Sequence, residues 1–398
     1  MKNFSLSLYL EINELDYVFY VGEIDDQNNL KIIHVSNTPL KGIDNSRISD
    51  LEKIFNTIKE NLYLIEQKLN YTFKEIILIL DNFCPSFINL TGFKKLNGSQ
   101  VLRENITYIL NTLKSCVNEI ESKKTILHIF NSKFYLDNNK IENLPIGLFG
   151  DSYSHELSFI LINSNDYKNF KSIFGKCNLN IKKILIKSFI KGATTSDNFK
   201  NTETFFQINI GENKSKIFYF ENNSLKFEQN FEFGTDIIIK DISKITSLNK
   251  ENVSKILDKI QFTENDPEED LIEKIFFNDE NYRKIKKKLI YEIALARIKE
   301  IFELILFKNV NFQHYNKISK NVFLEIDHKL QFKFINEIYK KVFLMNDSFN
   351  LNMADHLSND RLLSTANKLV HFGWKKEAIP VSQSRKSIIS RFFDKVFG

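Results

Sequence analysis

The feature that most constrains the fold is one pattern that opens both halves of the chain. Three short runs of alternating apolar and polar residues lie at 6–12, 17–24 and 30–36, joined by two turns. The segment 204–231, TFFQINIGENKSKIFYFENNSLKFEQNF, repeats this arrangement. Such alternation predicts β-strands with one buried face. Two three-stranded meanders, each at the start of a half, indicate an internally duplicated α/β fold.

Helices and further strands are predicted after each meander. In the first half, apolar periodicity predicts helices at 49–69 and 165–177 and strands at 75–80 and 183–186. Between them, the region from 83 to 162 has its own pattern, typical of a small inserted α+β unit: a helix within 99–117 flanked by strands at 125–130 and 157–162. In the second half, the same periodicity predicts helices at 236–247, 250–259, 278–306 and 330–342 and a strand at 321–326. The globular part is predicted to end near Trp374.

Bulk properties exclude several classes of function. The net charge of +5 arises from 55 basic and 50 acidic residues, too small an excess to indicate nucleic acid as a partner. Three widely separated cysteines fit neither a disulfide framework nor a zinc site, and the seven histidines lack metal-ligand spacing. No P-loop and no GxSxG motif is present. Without a signal peptide or an apolar run of about 18 residues, the chain is expected in the cytoplasm.

The last residues, RKSIISRFFDKVFG, form the most specific local pattern and follow the hydrophilic link KKEAIPVSQS. A helix from 387 would gather its large apolar side chains on one half of its surface and leave basic residues on and beside the other half. The apolar set is Ile388, Ile389, Phe392, Phe393, Val396 and Phe397, and the basic set is Arg385, Lys386, Arg391 and Lys395. This pattern predicts an interfacial helix that binds anionic lipid.

Burial of these apolar side chains gives a gross gain of roughly ten kcal/mol, which fits reversible attachment to a membrane. A C-terminal helix docked on the protein's own core would show the same stripe. We favour the membrane because a flexible link precedes the stripe and its flanks are basic.

The order of motifs resembles the FtsA family of actin-like proteins over nearly the whole length. The opening hairpin keeps Val21, Gly22, Glu23, Gly42 and Asp44, and LPIGLFGDSYSHEL resembles the entry of that family's inserted domain, with Pro145, Gly147 and Gly150. The segments INIGENKSKIFYFENNSL and GTDIIIKDIS resemble the second phosphate strand pair and its continuation, with Gly234, Asp241 and Ile242. YEIALARIKEIFELI resembles a family helix and keeps Ala296, Arg297, Glu300, Ile301, Phe302, Glu303 and Leu304.

The resemblance implies an α/β, actin-like fold of the ASKHA or ribonuclease H-like kind, made of duplicated domains. Subdomain 1A would comprise 1–83 and 165–198, and the FtsA-type inserted domain 1C would comprise 84–164. The half with subdomains 2A and 2B would run over 199–375. A linker at 376–386 and an amphipathic membrane-targeting helix at 387–398 would complete the chain.

The same resemblance implies a site for ATP with Mg²⁺, but the residues depart from the family there. The family's DIGTS reads EINEL, with Glu11, Asn13 and Glu14 in place of Asp, Gly and Thr. A carboxylate where a phosphate should lie repels it unless Mg²⁺ bridges the two. The family's DIGGGT reads NIGENK from Asn209, and the adenosine loop falls near 324–329 without a glycine. The degenerate cofactor positions are Asn13, Glu14, Gly211, Glu212, Asn213, Lys214 and Gly234, so ATP binding is doubtful and hydrolysis is not expected.

The implied function is that of a cell division protein that tethers FtsZ filaments to the cytoplasmic face of the membrane at the septum. Its partners would be the C-terminal peptide of FtsZ, anionic lipid, later division proteins and copies of itself in filaments. Arg283, Lys286 and Lys287, in YRKIKKKL on the long helix, are candidates for the peptide groove, although such a run is most often a solvated face. The alternatives are a PilM-like pilus scaffold, which needs no interfacial tail, and an ATP-dependent actin-fold enzyme, which needs intact phosphate loops.

Overall fold

The computed structural model describes residues 5–25, 29–81, 83–199, 202–262, 267, 269–277, 280–315, 317, 319–326, 333–344, 349–354 and 357–378. The chain folds as two compact units. The first takes its described residues from 1–203, 220–227 and 357–398, and the second takes them from 204–219 and 228–356. Residues 220–227, a hairpin tip, and 357–375 were predicted with the second half, and here they are grouped with the first unit.

The first unit is organised around a five-stranded sheet whose strand order is β11-β6-β1-β2-β3. Its strands are β1 (Ser5–Ile12), β2 (Asp16–Ile24), β3 (Leu30–Pro39), β6 (Glu75–Leu80) and β11 (Asn180–Ile186). The first three form the predicted antiparallel meander, whereas β6 and β11 run parallel to β1. β1, β6 and β11 therefore end at the same edge of the sheet, and this edge positions one candidate site.

Three helices belong to this part of the first unit, and a short hairpin lies between β3 and the first of them. The hairpin strands are β4 (Ile43–Asp44) and β5 (Arg47–Ile48), and the helices are α1 (Leu51–Leu69), α3 (Ser164–Lys176) and α4 (Lys187–Asn198). Asp50 caps α1 by accepting hydrogen bonds from the N–H groups of Glu52 and Lys53. Asn70, at a positive φ of 47°, ends this helix. The predictions for α1, α3, β6 and β11 are confirmed, and α4 was not predicted.

The inserted segment folds as a four-stranded sheet with one helix, in the order β7-β10-β8-β9. Its elements are β7 (Ser86–Lys95), α2 (Arg103–Ile120), β8 (Lys124–Leu136), β9 (Asn139–Ile141) and β10 (Ser152–Asn163). Gly92 is required on β7 because an added Cβ would lie 2.3 Å from Cγ2 of Ile109 on α2. The predicted α+β character is confirmed, although β7 was missed.

A buried ionic cluster holds the hairpin tip at 220–227 against the insert. Lys226 is 1% exposed and pairs with Glu156 of β10. Lys133 of β8 lies 3.0 Å from Oε1 of Glu221 and 3.4 Å from Oε2 of Glu156. Mutual pairing of this kind is what allows charged side chains to be buried.

The second meander forms a sheet in the order β14-β13-β12-β15-β16, which belongs to the second unit except for the hairpin tip at 220–227. Its strands are β12 (Phe205–Ile210), β13 (Ser215–Glu221), β14 (Ser224–Phe231), β15 (Asn321–Ile326) and β16 (Asn350–Met353). β15 runs parallel to both β12 and β16. Both five-stranded sheets thus begin with a meander whose first strand has a parallel neighbour, and this repetition confirms the duplicated α/β fold predicted from the sequence.

The remaining helices of this unit are α5 (Asp236–Thr246), α6 (Lys250–Lys259), α7 (Lys287–Phe302), α8 (Val310–Tyr315) and α9 (Lys333–Leu344). The prediction of one helix over 278–306 is wrong at its start, since α7 begins at Lys287. The reason is tertiary: Ile272 N–H donates to Ile285 O at 2.8 Å, and Lys287 N–H donates to Asp270 O at 2.9 Å. These bonds hold the residues before α7 in an extended conformation.

The described chain ends with α10 (Asn359–His371), which was not predicted, and with residues 374–378, here named the C-terminal strap. Both belong to the first unit. The strap lies along β8: Asn131 N–H donates to Lys376 O at 2.7 Å, and Ala378 N–H donates to Ile129 O at 2.7 Å. The linker predicted from residue 376 therefore begins with three residues that are bonded to the insert or packed in its core.

Candidate functional site

The turn between β1 and β2 was predicted to be the first phosphate loop. Asn13 closes this turn, because its Oδ1 accepts hydrogen bonds from the N–H groups of Leu15 at 3.0 Å and Asp16 at 2.8 Å. The N–H of Asn13 itself donates to Asp16 O at 3.1 Å. A phosphate-binding loop must aim its backbone N–H groups at the ligand. Three N–H groups of this turn already have acceptors within it, so its geometry does not fit a phosphate.

The turn between β12 and β13 was predicted to be the second phosphate loop, and it is closed in a similar way. Gly211 N–H donates to Lys214 O at 2.9 Å across the turn. The carbonyls of Gly211 and Glu212 accept hydrogen bonds from Thr235 and Asp236, at the start of α5. Lys214 Nζ lies 3.4 Å from Glu232, at the surface.

Gly234 has a clear backbone role beside this turn. A Cβ on Gly234 would lie 2.3 Å from Gly211 O and 2.5 Å from Glu212 O, so only glycine permits this approach. The turn therefore directs two carbonyl oxygens at the start of α5. Carbonyl oxygens repel a phosphate, and the N–H groups of α5 that they occupy are those that would otherwise attract one.

At the edge where β1, β6 and β11 end, three charged side chains meet. Lys187 Nζ lies 2.7 Å from Oε1 of Glu11 and 2.9 Å from Oδ2 of Asp81. Tyr20 OH donates to Oε2 of Glu11 at 3.1 Å. Burial lowers the pKa of Lys187, but the carboxylates of Asp81 and Glu11 outweigh it, so this pKa lies well above its ordinary value. An ammonium group thus neutralises the carboxylate that the family resemblance associates with the metal.

These three places do not fit ATP with Mg²⁺. Four N–H groups of the two turns and two at the start of α5 already have acceptors within the protein, and the acidic residue Glu11 pairs with a lysine. The third predicted element, the adenosine segment 324–329, lies outside the described residues from 327 onward. Within the described residues, no group of three or more His, Cys, Asp or Glu side chains is arranged to hold a metal ion.

The three residues proposed for the peptide groove have different contacts. The Arg283 guanidinium donates to Thr246 O at 3.2 Å and to Ser247 O at 2.7 Å, at the end of α5. Lys287 Nζ pairs with Asp270 at 3.1 Å. Lys286 is exposed. The prediction that all three lie on the long helix is wrong for Arg283 and Lys286, because the extended segment that pairs with residues 270–272 contains both.

Three apolar side chains are exposed in the same part of the second unit. Arg283 brings its neighbour Tyr282, 40% exposed, to the end of α5, where Ile245 is 57% exposed. Tyr282 packs edge-on against Phe277, next to the short helical turn at 274–276 that contains Ile275, 72% exposed. A cluster of exposed apolar side chains beside lysines is typical of a surface that binds a partner.

The predicted membrane helix at 387–398, with Arg385 and Lys386 before it, lies outside the described residues. The structure does describe the strap from which this tail continues. Glu377 is the centre of the strap, with Oε1 2.8 Å from Nδ1 of His128 and Oε2 2.9 Å from Nζ of Lys183. Trp374 Nε1–H donates to Asn223 O at 2.7 Å. No helix of the described residues is long and apolar enough to cross a membrane.

Sequence reasoning missed Asp81, Lys187 and Glu377. A signal for the first two was present, since Asp81 follows the apolar run EIILIL directly and Lys187 follows ILI. A charged residue directly after a buried strand is a candidate for the edge where parallel strands end. Glu377 gave no such signal, because its partners are 249 and 194 positions away in the chain.

Comparison with known proteins agrees with this architecture. Proteins named cell division protein FtsA are similar to this chain: that of Buchnera aphidicola (Schizaphis graminum) is 26% identical over 64% of the chain and 60% of the relative. The Escherichia coli K12 protein is 19% identical over 59% of this chain and 55% of the relative. The Neisseria meningitidis protein is 21% identical over 75% of this chain and 72% of the relative. The chain therefore matches only about 60% of the length of the first of these relatives. No protein-family model matches the chain.

One solved structure supports the fold, and a second is given beside it for comparison. A PilM–PilN type IV pilus biogenesis complex aligns with a TM-score of 0.52 at 8% identity, covering 92% of this chain and 95% of the other. MreB 5 of Spiroplasma citri aligns with a TM-score of 0.46 at 9% identity, covering 92% of this chain and 95% of the other. In sequence the chain is a distant relative of the proteins named cell division protein FtsA, and its fold is the actin-like fold predicted from the sequence.

Proposed function

We propose that this chain tethers FtsZ filaments to the cytoplasmic face of the cell membrane at the division septum. The observation that carries this proposal is the likeness to cell division protein FtsA in sequence, on a fold that fits it. Tethering requires a lipid-binding element, a surface for the polymer and contacts between copies, because weak contacts become stable attachment when several act together.

The lipid-binding element is the amphipathic tail with its apolar set from Ile388 to Phe397 and its basic flank. The strap supports this assignment, since a tether must carry load from the membrane into the folded body. Two backbone hydrogen bonds to β8 and the buried Glu377 pair hold the base of the tail. In the sequence, only residues 379–386 separate this base from the start of the proposed helix.

The surface proposed for the FtsZ peptide is the cluster of Ile245, Ile275 and Tyr282 in the second unit, here named the apolar cluster. Lys244, Lys284 and Lys286 are exposed beside it in the sequence. A short peptide with apolar and acidic residues would complement such a surface, because the apolar side chains bury area and the lysines attract the carboxylates. Arg283 and Lys287 act in this proposal by shaping the surface rather than by gripping the peptide.

Contacts between copies are proposed at one end of the insert. The loop at 144–150 is bonded to 98–102 through Val101 N–H to Leu148 O at 2.9 Å and Gly147 N–H to Val101 O at 2.9 Å. This pairing brings together four exposed apolar side chains, here named the insert patch: Leu102, Ile146, Leu148 and Phe149, each between 47% and 68% exposed. An apolar patch of this kind fits a second copy of the chain.

In this proposal the tether works without ATP hydrolysis. N–H groups of both predicted phosphate turns donate to acceptors within the protein, and Glu11 is paired with Lys187. We accordingly place the chain with scaffolds rather than with ATP-dependent enzymes of the same fold.

The test is cosedimentation with anionic lipid vesicles, with and without FtsZ. The full chain is compared with a version that ends at Gln383, which keeps the whole strap and removes only the tail. A Phe392→Asp/Phe393→Asp variant of the full chain is the matched control for the apolar face. The expected result is that only the unaltered chain pellets and carries FtsZ with it. If all versions stay in solution, the tail is not a membrane anchor and a PilM-like scaffold becomes the better proposal.

A further inference from the structure

The edge where β1, β6 and β11 end carries an arrangement that the tether does not use. Glu11 is 3% exposed, and its two oxygens receive Lys187 Nζ at 2.7 Å and Tyr20 OH at 3.1 Å. Asp81 meets the same ammonium at 2.9 Å. One cation thus bridges two carboxylates that come from different strands, as a bound metal ion would do.

We propose that Lys187 is a built-in counter-ion for Glu11 and Asp81, which takes the place of a metal ion at this edge, and that its removal converts the edge into a divalent-cation site. This proposal goes beyond the tether function and does not depend on it. It assigns to Lys187 the role of making the first unit independent of any metal–nucleotide complex.

The geometry excludes simultaneous occupancy by Lys187 and a metal ion. Mg²⁺ binds carboxylate oxygens at about 2.0–2.1 Å. An ion at that distance from the oxygens that face Lys187 Nζ would lie within or near van der Waals contact of the ammonium. Two positive charges so close in a partly buried place repel each other strongly. The ammonium therefore has to leave before a metal ion can bridge the pair.

Charge explains why one of the two cations must be present. Two carboxylates at the same edge repel each other, and burial of Glu11 adds the cost of removing its charge from water. Lys187 lies at the first residue of α4, directly after β11, so the backbone delivers the ammonium to this place without a loop. The parallel order of β1, β6 and β11 thus places the Lys187 ammonium beside the two carboxylates.

The experiment measures Mn²⁺ binding to the full chain by electron paramagnetic resonance, comparing the natural protein with Lys187→Ala. The variant opens space between the two carboxylates and removes the ammonium that bridges them. Its binding should be at least about tenfold tighter than that of the natural protein. The double variant Lys187→Ala/Glu11→Gln should lose this gain, because one of the bridging carboxylates is gone.

The thermal unfolding midpoint gives a second readout. Mn²⁺ in the millimolar range should raise the midpoint of Lys187→Ala, or restore its folding, and leave the natural protein unchanged. A folded variant that binds Mn²⁺ no better than the natural protein overturns the proposal. The natural protein alone can also overturn it, if Mg²⁺ with ATP raises its midpoint and Glu11→Gln abolishes that rise. Neither readout depends on vesicle binding, so the tether proposal can fail without affecting this result.

Discussion

Lys187 Nζ lies 2.7 Å from Oε1 of Glu11, and this contact joins the start of α4 to the end of β1. It lies within the first unit, at the edge where an actin-like fold would be expected to receive a metal-bound phosphate. The pair places an internal ammonium beside the carboxylate that replaces the family's Asp in the first phosphate loop.

The first prediction concerns this pair. Glu11→Gln should lower the free energy of unfolding by about 2–3 kcal/mol, because Lys187 keeps Asp81 but loses its closer partner in a mostly buried place. Urea unfolding monitored by circular dichroism measures the change. Glu14→Gln, at an exposed position in the adjacent turn, is the control and should be nearly neutral. Equal effects of the two substitutions would contradict the assignment.

The second prediction concerns the strap. Glu377→Gln should destabilise the protein by about 3 kcal/mol, since it leaves Lys183 buried without a counter-charge and weakens the contact with His128. Hydrogen exchange at Asn131 and Ala378 should also accelerate, because these N–H groups bond the strap to β8. Glu203→Gln, whose ion pair with Lys375 is about half exposed, should change neither quantity. Unchanged exchange in Glu377→Gln would show that the strap does not depend on this carboxylate.

The third prediction is a pH dependence of stability that originates in the insert. Burial lowers the pKa of His155 from 6.5 to about 4. Neither ring nitrogen of His155 has a hydrogen-bond partner within the described residues. At a pH between these two pKa values, the His155 side chain binds a proton in the unfolded chain but not in the folded chain. The free energy of unfolding should therefore fall as pH is lowered through this window, by about 3 kcal/mol in total from this residue.

His155→Phe tests this dependence, because the substitution removes the titrating group and keeps an aromatic ring beside Phe134 and Tyr153. Chemical unfolding at several pH values between 6.5 and 4 should show a smaller slope in the variant than in the natural protein. His314→Phe, at an exposed position, serves as the control. Identical slopes in His155→Phe and the natural protein would rule out a contribution from His155.

The fourth prediction concerns contacts between copies. Phe149→Asp places a charge on the insert patch and should weaken self-association at least about tenfold without loss of stability, because the side chain is 68% exposed. Sedimentation velocity over a range of protein concentrations measures the effect. Leu64→Asp, a similarly exposed apolar position on α1, is the matched control and should associate normally. If both variants behave alike, the insert patch is not the interface.

The fifth prediction concerns the polymer partner. Ile245→Asp should weaken binding of a fluorescent peptide from the C-terminus of FtsZ at least about tenfold, because it puts a negative charge into the apolar cluster. Fluorescence anisotropy measures the affinity. Val310→Asp, which changes an exposed apolar residue elsewhere in the second unit, should bind as the natural protein does. Loss of binding in Val310→Asp alone would move the peptide site away from the apolar cluster.

The elements whose signals are local could be predicted from the amino-acid sequence alone. The two meanders, the helices α1, α3, α5 and α6 and the buried runs of β6 and β15 could be recognised because periodicity and caps lie within a few residues. The order of these motifs was also enough to predict the actin-like fold. The departures at Asn13 and Glu212 predict phosphate turns that differ from those of the family, and this stays a prediction.

Which charged groups meet depends on the folded chain and could not be predicted from local sequence. Glu11, Asp81 and Lys187 are far apart in the chain, and their contact depends on the parallel order of three strands. The start of α7 and the docking of the strap on β8 likewise depend on hydrogen bonds between distant segments. Local patterns carry no signal for such pairings, because the free energy that fixes them appears only when the backbone brings the partners together and removes them from water.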